Sequence, residues 1–294
     1  MEKCSIVFTD LDGTVFKNDK TISARTGKAL MSLKDNGILW VVATARPEVA
    51  ISFYEEIKEA DALITLNGAR IKLHDKVINN GFEKEDAVRI VKELLEKELI
   101  ITLETSEGIF GNVEISEWNT PKVDDLIALL DRVDVYKVLI CGRDHNLPTI
   151  KEDRERFSSK EEIEKVVNDV IHSNGLGDSL YYSVAEGWLY QIMSRNATKW
   201  KGVQLVLKTE GISSDEAVYF GDDNDDFDSI IITKVNSLIT ADSFGDDNDD
   251  FDSISNCGLG IAMGNAIERM KAAADRVAPS NEEDGVAVII ETLR

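Results

Sequence analysis

Cys4-Ser5-Ile6-Val7-Phe8-Thr9-Asp10-Leu11-Asp12-Gly13-Thr14 is the stretch whose reading decides the fold. A short apolar run rich in β-branched and aromatic residues, stopped by Asp-x-Asp-Gly, predicts a buried strand that delivers two carboxylates to a turn. Side chains alternate faces along a strand, so Asp10 and Asp12 can point the same way while Leu11 turns back into the protein. Two carboxylates that close repel each other unless a cation lies between them or one holds a proton. The pair suits a hard divalent metal, with one carboxylate attacking an electrophile and the other managing a proton. A solvated acidic turn would use the same residues. The place of this one at the mouth of the first strand, and the elements that follow, favour a site.

Working outward, Thr21 to Asn36 reads as a helix stopped by Gly37, and Ile38 to Ala43 as a buried strand ending in Thr44-Ala45-Arg46-Pro47. Pro47 suits the opening of a helix through Tyr54. Ala62 to Thr65 is a further strand, and Asn67-Gly68 a turn. Strands alternating with helices predict a parallel sheet, whose ligands bind at the carboxyl ends of the strands. Asp10, Thr44 and Asn67 all fall at such ends. From 81 to 190 the chemistry goes quiet. Glu83 to Glu98, Lys122 to Arg132 and Ser159 to Ile171 read as helices. Ile100 to Leu103, Asn112 to Ile115, Tyr136 to Cys141, Leu180 to Val184 and Trp188 to Met193 read as strands. The fold expected is therefore α/β: a Rossmann-like parallel-sheet core formed by 1–80 and 191–294, with an inserted α/β cap domain at 81–190. The core resumes with a helix from Lys199 to Glu210 and a strand over Ala217 to Phe220.

The chain has 294 residues, 43% of them hydrophobic and 30% charged, which suits a folded globular protein. No apolar run approaches the roughly 20 residues of a membrane helix. No export signal is evident, and Cys4, Cys141 and Cys257 lack metal spacing and read as buried thiols, so a cytoplasmic location is expected. A net charge of −22 argues against nucleic acid or an anionic membrane as partner. It also means that a phosphate-handling site must create its own positive potential from metal, Lys, Arg and backbone N–H groups. His74, His145 and His172 have no metal or nucleophile context and read as surface or packing residues.

An ordered set of motifs carries a resemblance across essentially the whole chain: Phe8 to Thr14, Ala43-Thr44-Ala45-Arg46, Asn67-Gly68-Ala69, Lys199, Gly221-Asp222 through Asp226, Gly260 to Ala266, and Ser280 to Val286. The chain resembles the haloacid dehalogenase superfamily, specifically the Cof-type phosphatases with a large α/β cap. The resemblance implies that Asp10 is the nucleophile forming an aspartyl-phosphate and that Asp12 protonates the leaving alcohol and later activates water. It implies Mg²⁺ between Asp10, the Asp12 backbone carbonyl and Asp222, with Asp226 as a supporting carboxylate near Lys199. Thr44, Arg46, Asn67 and Gly68 are expected at the substrate. Thr44 could equally cap the helix begun at Pro47, Asn67-Gly68 could be only a turn, and Lys201 competes with Lys199.

One departure stands out. Phe220-Gly221-Asp222-Asp223-Asn224-Asp225-Asp226-Phe227-Asp228-Ser229-Ile230 recurs without change from Phe244 to Ile254, 24 positions on. One copy was made from the other. Seating the second copy would put Leu238 to Phe244, with Asp242, in place of the central strand, and burying an unpaired carboxylate costs several kcal/mol. A longer surface loop costs little more closure entropy. The first copy is therefore expected at the metal, with Asp246 and Asp250 away from Asp10 on an exposed loop. Mg²⁺-dependent hydrolysis of a small phosphorylated metabolite, such as a sugar phosphate, is the function expected. The alternatives are phosphoryl transfer of the phosphomutase type, and a metal- or ligand-binding protein whose catalysis the duplication has impaired. Oligomeric state is not legible.

Overall fold

Ile6, Val7 and Phe8 have no solvent exposure, as a strand covered on both faces requires. The computed structural model describes residues 4–185, 187–222 and 250–293. From its start the chain runs β1 (Ile6–Thr9), α1 (Ala24–Asp35), β2 (Leu39–Ala43), α2 (Glu55–Lys58), β3 (Ala62–Thr65), β4 (Arg70–Leu73) and β5 (Lys76–Asn79). There follow α3 (Lys84–Glu96), β6 (Ile101–Thr105), β7 (Gly108–Gly111), α4 (Leu126–Leu129), β8 (Val135–Cys141), α5 (Lys160–Ser173), β9 (Leu180–Ala185) and β10 (Leu189–Ser194). The chain closes with α6 (Lys199–Glu210), β11 (Ala217–Gly221), α7 (Phe251–Asn256), β12 (Leu259–Ala262), α8 (Glu268–Ala273), β13 (Arg276–Val277) and α9 (Gly285–Ile290). The described residues fall into two compact units, one from 4–78, 197–222 and 250–293, the other from 79–185 and 187–196.

The first unit holds a sheet ordered β13-β12-β11-β1-β2-β3-β4-β5. Strands β13 through β3 in that order are parallel, and β4 turns antiparallel to β3. Alternation sends Val7, Val42, Val218 and Phe220 to one face, with Leu30 and Leu33 of α1 and Val286 and Ile290 of α9. Ile6, Phe8, Val41, Ile64 and Tyr219 go to the other, with Val203 and Val206 of α6. Ser23 caps α1 by accepting a hydrogen bond from the Thr26 N–H at 3.0 Å, and Thr198 caps α6 through the Lys201 N–H at 3.1 Å. Gly202 lets α6 lie close on β3, because a Cβ there would come within 2.6 Å of the Ile64 side chain.

The second unit is an antiparallel sheet, β7-β6-β8-β10-β9, with Ile90, Val91 and Leu94 of α3 and Ile163 and Val167 of α5 against one face. His145 is a packing residue, with its ring edge on Phe157 at 4.4 Å between centroids, and His74 lies exposed beside Glu210. Burial pushes the thiols of Cys141 and Cys257 up to about 12, while Cys4 is half-buried.

Three local expectations change. Instead of a helix from Pro47 to Tyr54 there is one tight turn at Glu48–Ala50, then α2 after Tyr54. Glu48 is held outward by Arg70 and Lys72, and Ile51 alone in this stretch is fully buried, so no continuous apolar stripe supports a longer helix. Residues 112–115 are not a strand, because the Asn112 side chain bonds the Ile101 N–H and the Leu99 carbonyl and so ends the ladder. The helix over 122–132 shrinks to α4. Val123 donates its N–H to Gly111 and Pro121 accepts from Gly111, which ties this stretch to the end of β7.

Candidate active site

Parallel register brings the carboxyl ends of β1, β2, β3 and β11 to one edge of the sheet. The Asp10 N–H donates to Phe220 O at 3.0 Å, and the Thr44 N–H to Ile64 O at 2.8 Å. Since β1 ends at Thr9, Asp10 and Asp12 both lie in the turn that follows, and strand alternation does not govern them. They face different partners. Asp10 is buried, and its Oδ1 accepts from Lys199 Nζ at 3.0 Å. Lys199, in the first turn of α6, is buried, while Lys201 is exposed. The same Lys199 Nζ donates to Asp250 Oδ1 at 2.8 Å, and Tyr219 Oη donates to that oxygen at 2.6 Å.

Asp222 is buried at the end of β11, and its Oδ2 accepts from Asn265 Nδ2 at 3.0 Å. Asp10, Asp222 and Asp250 each offer a carboxylate oxygen within 4.8 Å of the others. Bare glycines make room for them. A Cβ on Gly13, where φ is +69°, would fall 1.8 Å from Asp222 Oδ2, and one on Gly221 would fall 2.6 Å from the Asp250 carboxyl carbon.

The seating of the repeat is therefore corrected. Asp250 was expected on an exposed loop away from Asp10; it is 1% exposed and shares Lys199 with Asp10. Asp226 and Asp246 lie outside the described residues. The first copy supplies Asp222 and the last two residues of β11, whose apolar run Ala217–Gly221 suits burial on both faces. The second copy supplies Asp250 and α7, because only it runs directly into β12.

Asp12 is gripped instead by Arg46, through Nε at 2.5 Å and Nη2 at 2.8 Å, and by Lys20 Nζ at 2.7 Å. Burial works to raise its carboxyl, but the bonds and charges of Arg46 and Lys20 outweigh burial and leave it below the usual carboxylate range. Thr44 is buried and its hydroxyl accepts from the Arg46 N–H at 3.2 Å, so it closes a local turn. Asn67 is buried in a left-handed conformation, φ +56°, with its N–H on Thr44 O. Gly68 lies against the Thr198 backbone, 2.3 Å from where its Cβ would be, which seats this loop beside the start of α6.

Burial drives the Asp10 carboxyl well above its ordinary range, and Asp250, Asp222 and Asp12 push it further, with Lys199 only partly opposing them. Three buried carboxyl groups converge beside one lysine. That donor set, all hard oxygens, fits a divalent cation such as Mg²⁺ in both charge and ligand type. The sequence reading missed Lys20 and Tyr219 and gave Asn265 no role. Asn265 stood in a quoted motif, whereas nothing local in the sequence marks Lys20.

The chain matches the family model of haloacid dehalogenase-like hydrolases over residues 7–230 and 237–290. It is 24% identical over 297 residues to the 5-amino-6-(5-phospho-D-ribitylamino)uracil phosphatase YitU of Bacillus subtilis, covering 96% of this chain and 94% of that one. A haloacid dehalogenase-like hydrolase from Bacteroides thetaiotaomicron superposes with a TM-score of 0.76 at 21% identity, over 99% of this chain and 100% of the other. The subclass IIB sugar phosphatase BT4131 gives 0.68 at 19% identity, over 98% of each chain.

Proposed function

The chain belongs to the haloacid dehalogenase-like hydrolases, as a Cof-type phosphomonoesterase, and we propose that it hydrolyses a small sugar phosphate with Mg²⁺ through an aspartyl-phosphate on Asp10. The observation that carries this is the buried trio Asp10, Asp222 and Asp250 with Lys199 among them. An Asp10 oxygen attacks phosphorus and the P–O bond to the sugar breaks, with Asp12 giving its proton to the leaving oxygen. Water then attacks the phosphoryl group, Asp12 takes the water's proton, and phosphate leaves as Asp10 is regenerated. Arg46 and Lys20 hold Asp12 ionised, the form that accepts this proton. Pairing of Arg46 with incoming phosphoryl oxygens would release Asp12 to take up from solvent the proton it donates in the first step. In later cycles the proton taken from the attacking water serves that step.

Asp10, Asp222, Asp250 and the Asp12 carbonyl would hold Mg²⁺, which supplies positive charge against the phosphoryl oxygens when bound. Lys199 adds the protein's own charge at the same place. A sugar phosphate is favoured because one relative is named a sugar phosphatase and another acts on a phospho-D-ribityl compound. The net charge of −22 supports a small metabolite rather than nucleic acid or an anionic membrane as partner. Among the described residues no helix is long and apolar enough to cross a membrane. Asp222 and Asp250 standing together at Asp10 favours catalysis over mere ligand binding.

Chelation tests the reading. Hydrolysis of p-nitrophenyl phosphate should fall to background in EDTA and return with excess Mg²⁺. The ion should also raise the melting temperature, since a ligand at 100 times its Kd stabilises by about 2.7 kcal/mol. Turnover indifferent to chelation would refute the metal-dependent mechanism.

A further inference from the structure

Two motifs of the chain, Gly260 to Ala266 and Ser280 to Val286, take no part in the chemistry above, yet each sends an asparagine toward it. Asn265 Nδ2 donates to Asp222 Oδ2 at 3.0 Å and to Gly13 O at 2.8 Å, and Asn265 Oδ1 accepts the Asn281 N–H at 3.0 Å. The buried Asn281 side chain donates to Phe16 O at 2.9 Å and to Asn18 Oδ1 at 3.4 Å. We propose that Asn265 and Asn281 form a relay of positioning residues that fixes the Asp222 carboxylate against the Asp10-x-Asp12 turn and so sets the affinity of the trio for a divalent cation. This rests on the metal reading of the trio.

The geometry asks for an amide at 265. One NH₂ group bonds both a carboxylate and a carbonyl while the amide oxygen accepts a backbone N–H. Aspartate there has the oxygen but no donor, and it would set a fourth carboxylate against three. The Gly13 carbonyl and the Asp222 carboxylate hang from the same nitrogen, so the spacing between the nucleophile's turn and the end of β11 is set by one side chain. Asn281 then ties Asn265 to the backbone at Phe16, beyond that turn. Asp250 has a separate support in Lys199 and Tyr219. Groups that orient a metal ligand typically change affinity or activity by 10–100-fold when removed.

Mg²⁺ titration by calorimetry tests the relay without relying on turnover. Asn265→Ala should weaken Mg²⁺ binding by about 10–100-fold, with turnover at saturating Mg²⁺ falling far less, and Asn265→Asp should not restore the affinity. A double-mutant cycle separates positioning from general destabilisation. On an Asp222→Asn background the Asn265→Ala change should weaken binding no further, whereas on Asp250→Asn it should keep its full effect. Asn281→Ala, which leaves the Asn265–Asp222 bond in place, carries the same test at smaller amplitude should the first variant fail to fold. Native-like Mg²⁺ affinity in Asn265→Ala, or an undiminished effect on the Asp222→Asn background, would overturn the relay alone. A native protein that takes up no Mg²⁺ would overturn the metal reading and the relay with it.

Discussion

Asp10→Asn should lower turnover of an aryl phosphate by on the order of 10³-fold or more, because an amide of the same shape cannot act as the attacking oxyanion. The same variant should melt at a higher temperature than the native protein in metal-free buffer. Burial and three neighbouring carboxylates disfavour the charged form of Asp10, and Lys199 does not fully offset them. A neutral amide removes that penalty while keeping an oxygen for Lys199. Activity and stability therefore move in opposite directions, and the loss of turnover cannot be ascribed to unfolding. Melting curves with EDTA, beside initial rates in Mg²⁺, give both readings. Retained turnover would remove Asp10 from the nucleophile's role.

Asp250→Ala should cost about 10²-fold or more in Mg²⁺-dependent activity. It removes one of three carboxylates within 4.8 Å and leaves Lys199 Nζ and Tyr219 Oη without the oxygen they share. Asp226→Ala, on the other copy, is the informative contrast and should leave activity nearly intact. Deleting 223–246 brings Asp222 next to Asp247 and restores one uninterrupted Gly-Asp-Asp-Asn-Asp-Asp-Phe loop. That shortened chain should keep native activity within a few-fold. An inert Asp250→Ala with a dead Asp226→Ala would show that the first copy is seated whole in solution. A large gain on deletion would show that the longer chain is impaired.

The sheet was readable because β1, β2 and β11 are continuous apolar runs ending in Asp10, Thr44 and Gly221-Asp222, and burial on both faces leaves such runs few alternatives. Lys199 was also readable, though only by its place in a family motif. What the sequence hid was tertiary. Lys20 reaches Asp12 across a short turn that no local pattern announces. The helix expected after Pro47 failed because Glu48 found partners on β4, Arg70 and Lys72, which helix propensity does not register. Asp250 was hidden because the residues around it are the same as those around Asp226. Nothing in eleven identical residues marks which aspartate reaches Lys199.

Asp222 and Asp250 are each held by groups that lie outside the repeated stretch, Asn265 for one and Lys199 and Tyr219 for the other. If the shortened chain keeps its activity, as expected above, the extra 24 residues are close to silent for heredity. A crossover between the copies, wherever within them it falls, yields the same shortened protein, so loss of the segment leaves no scar. Its gain and its loss are then both single steps. Selection on the chemistry would then have little hold on the length of this loop, and variation in that length is the trace to look for among related genomes.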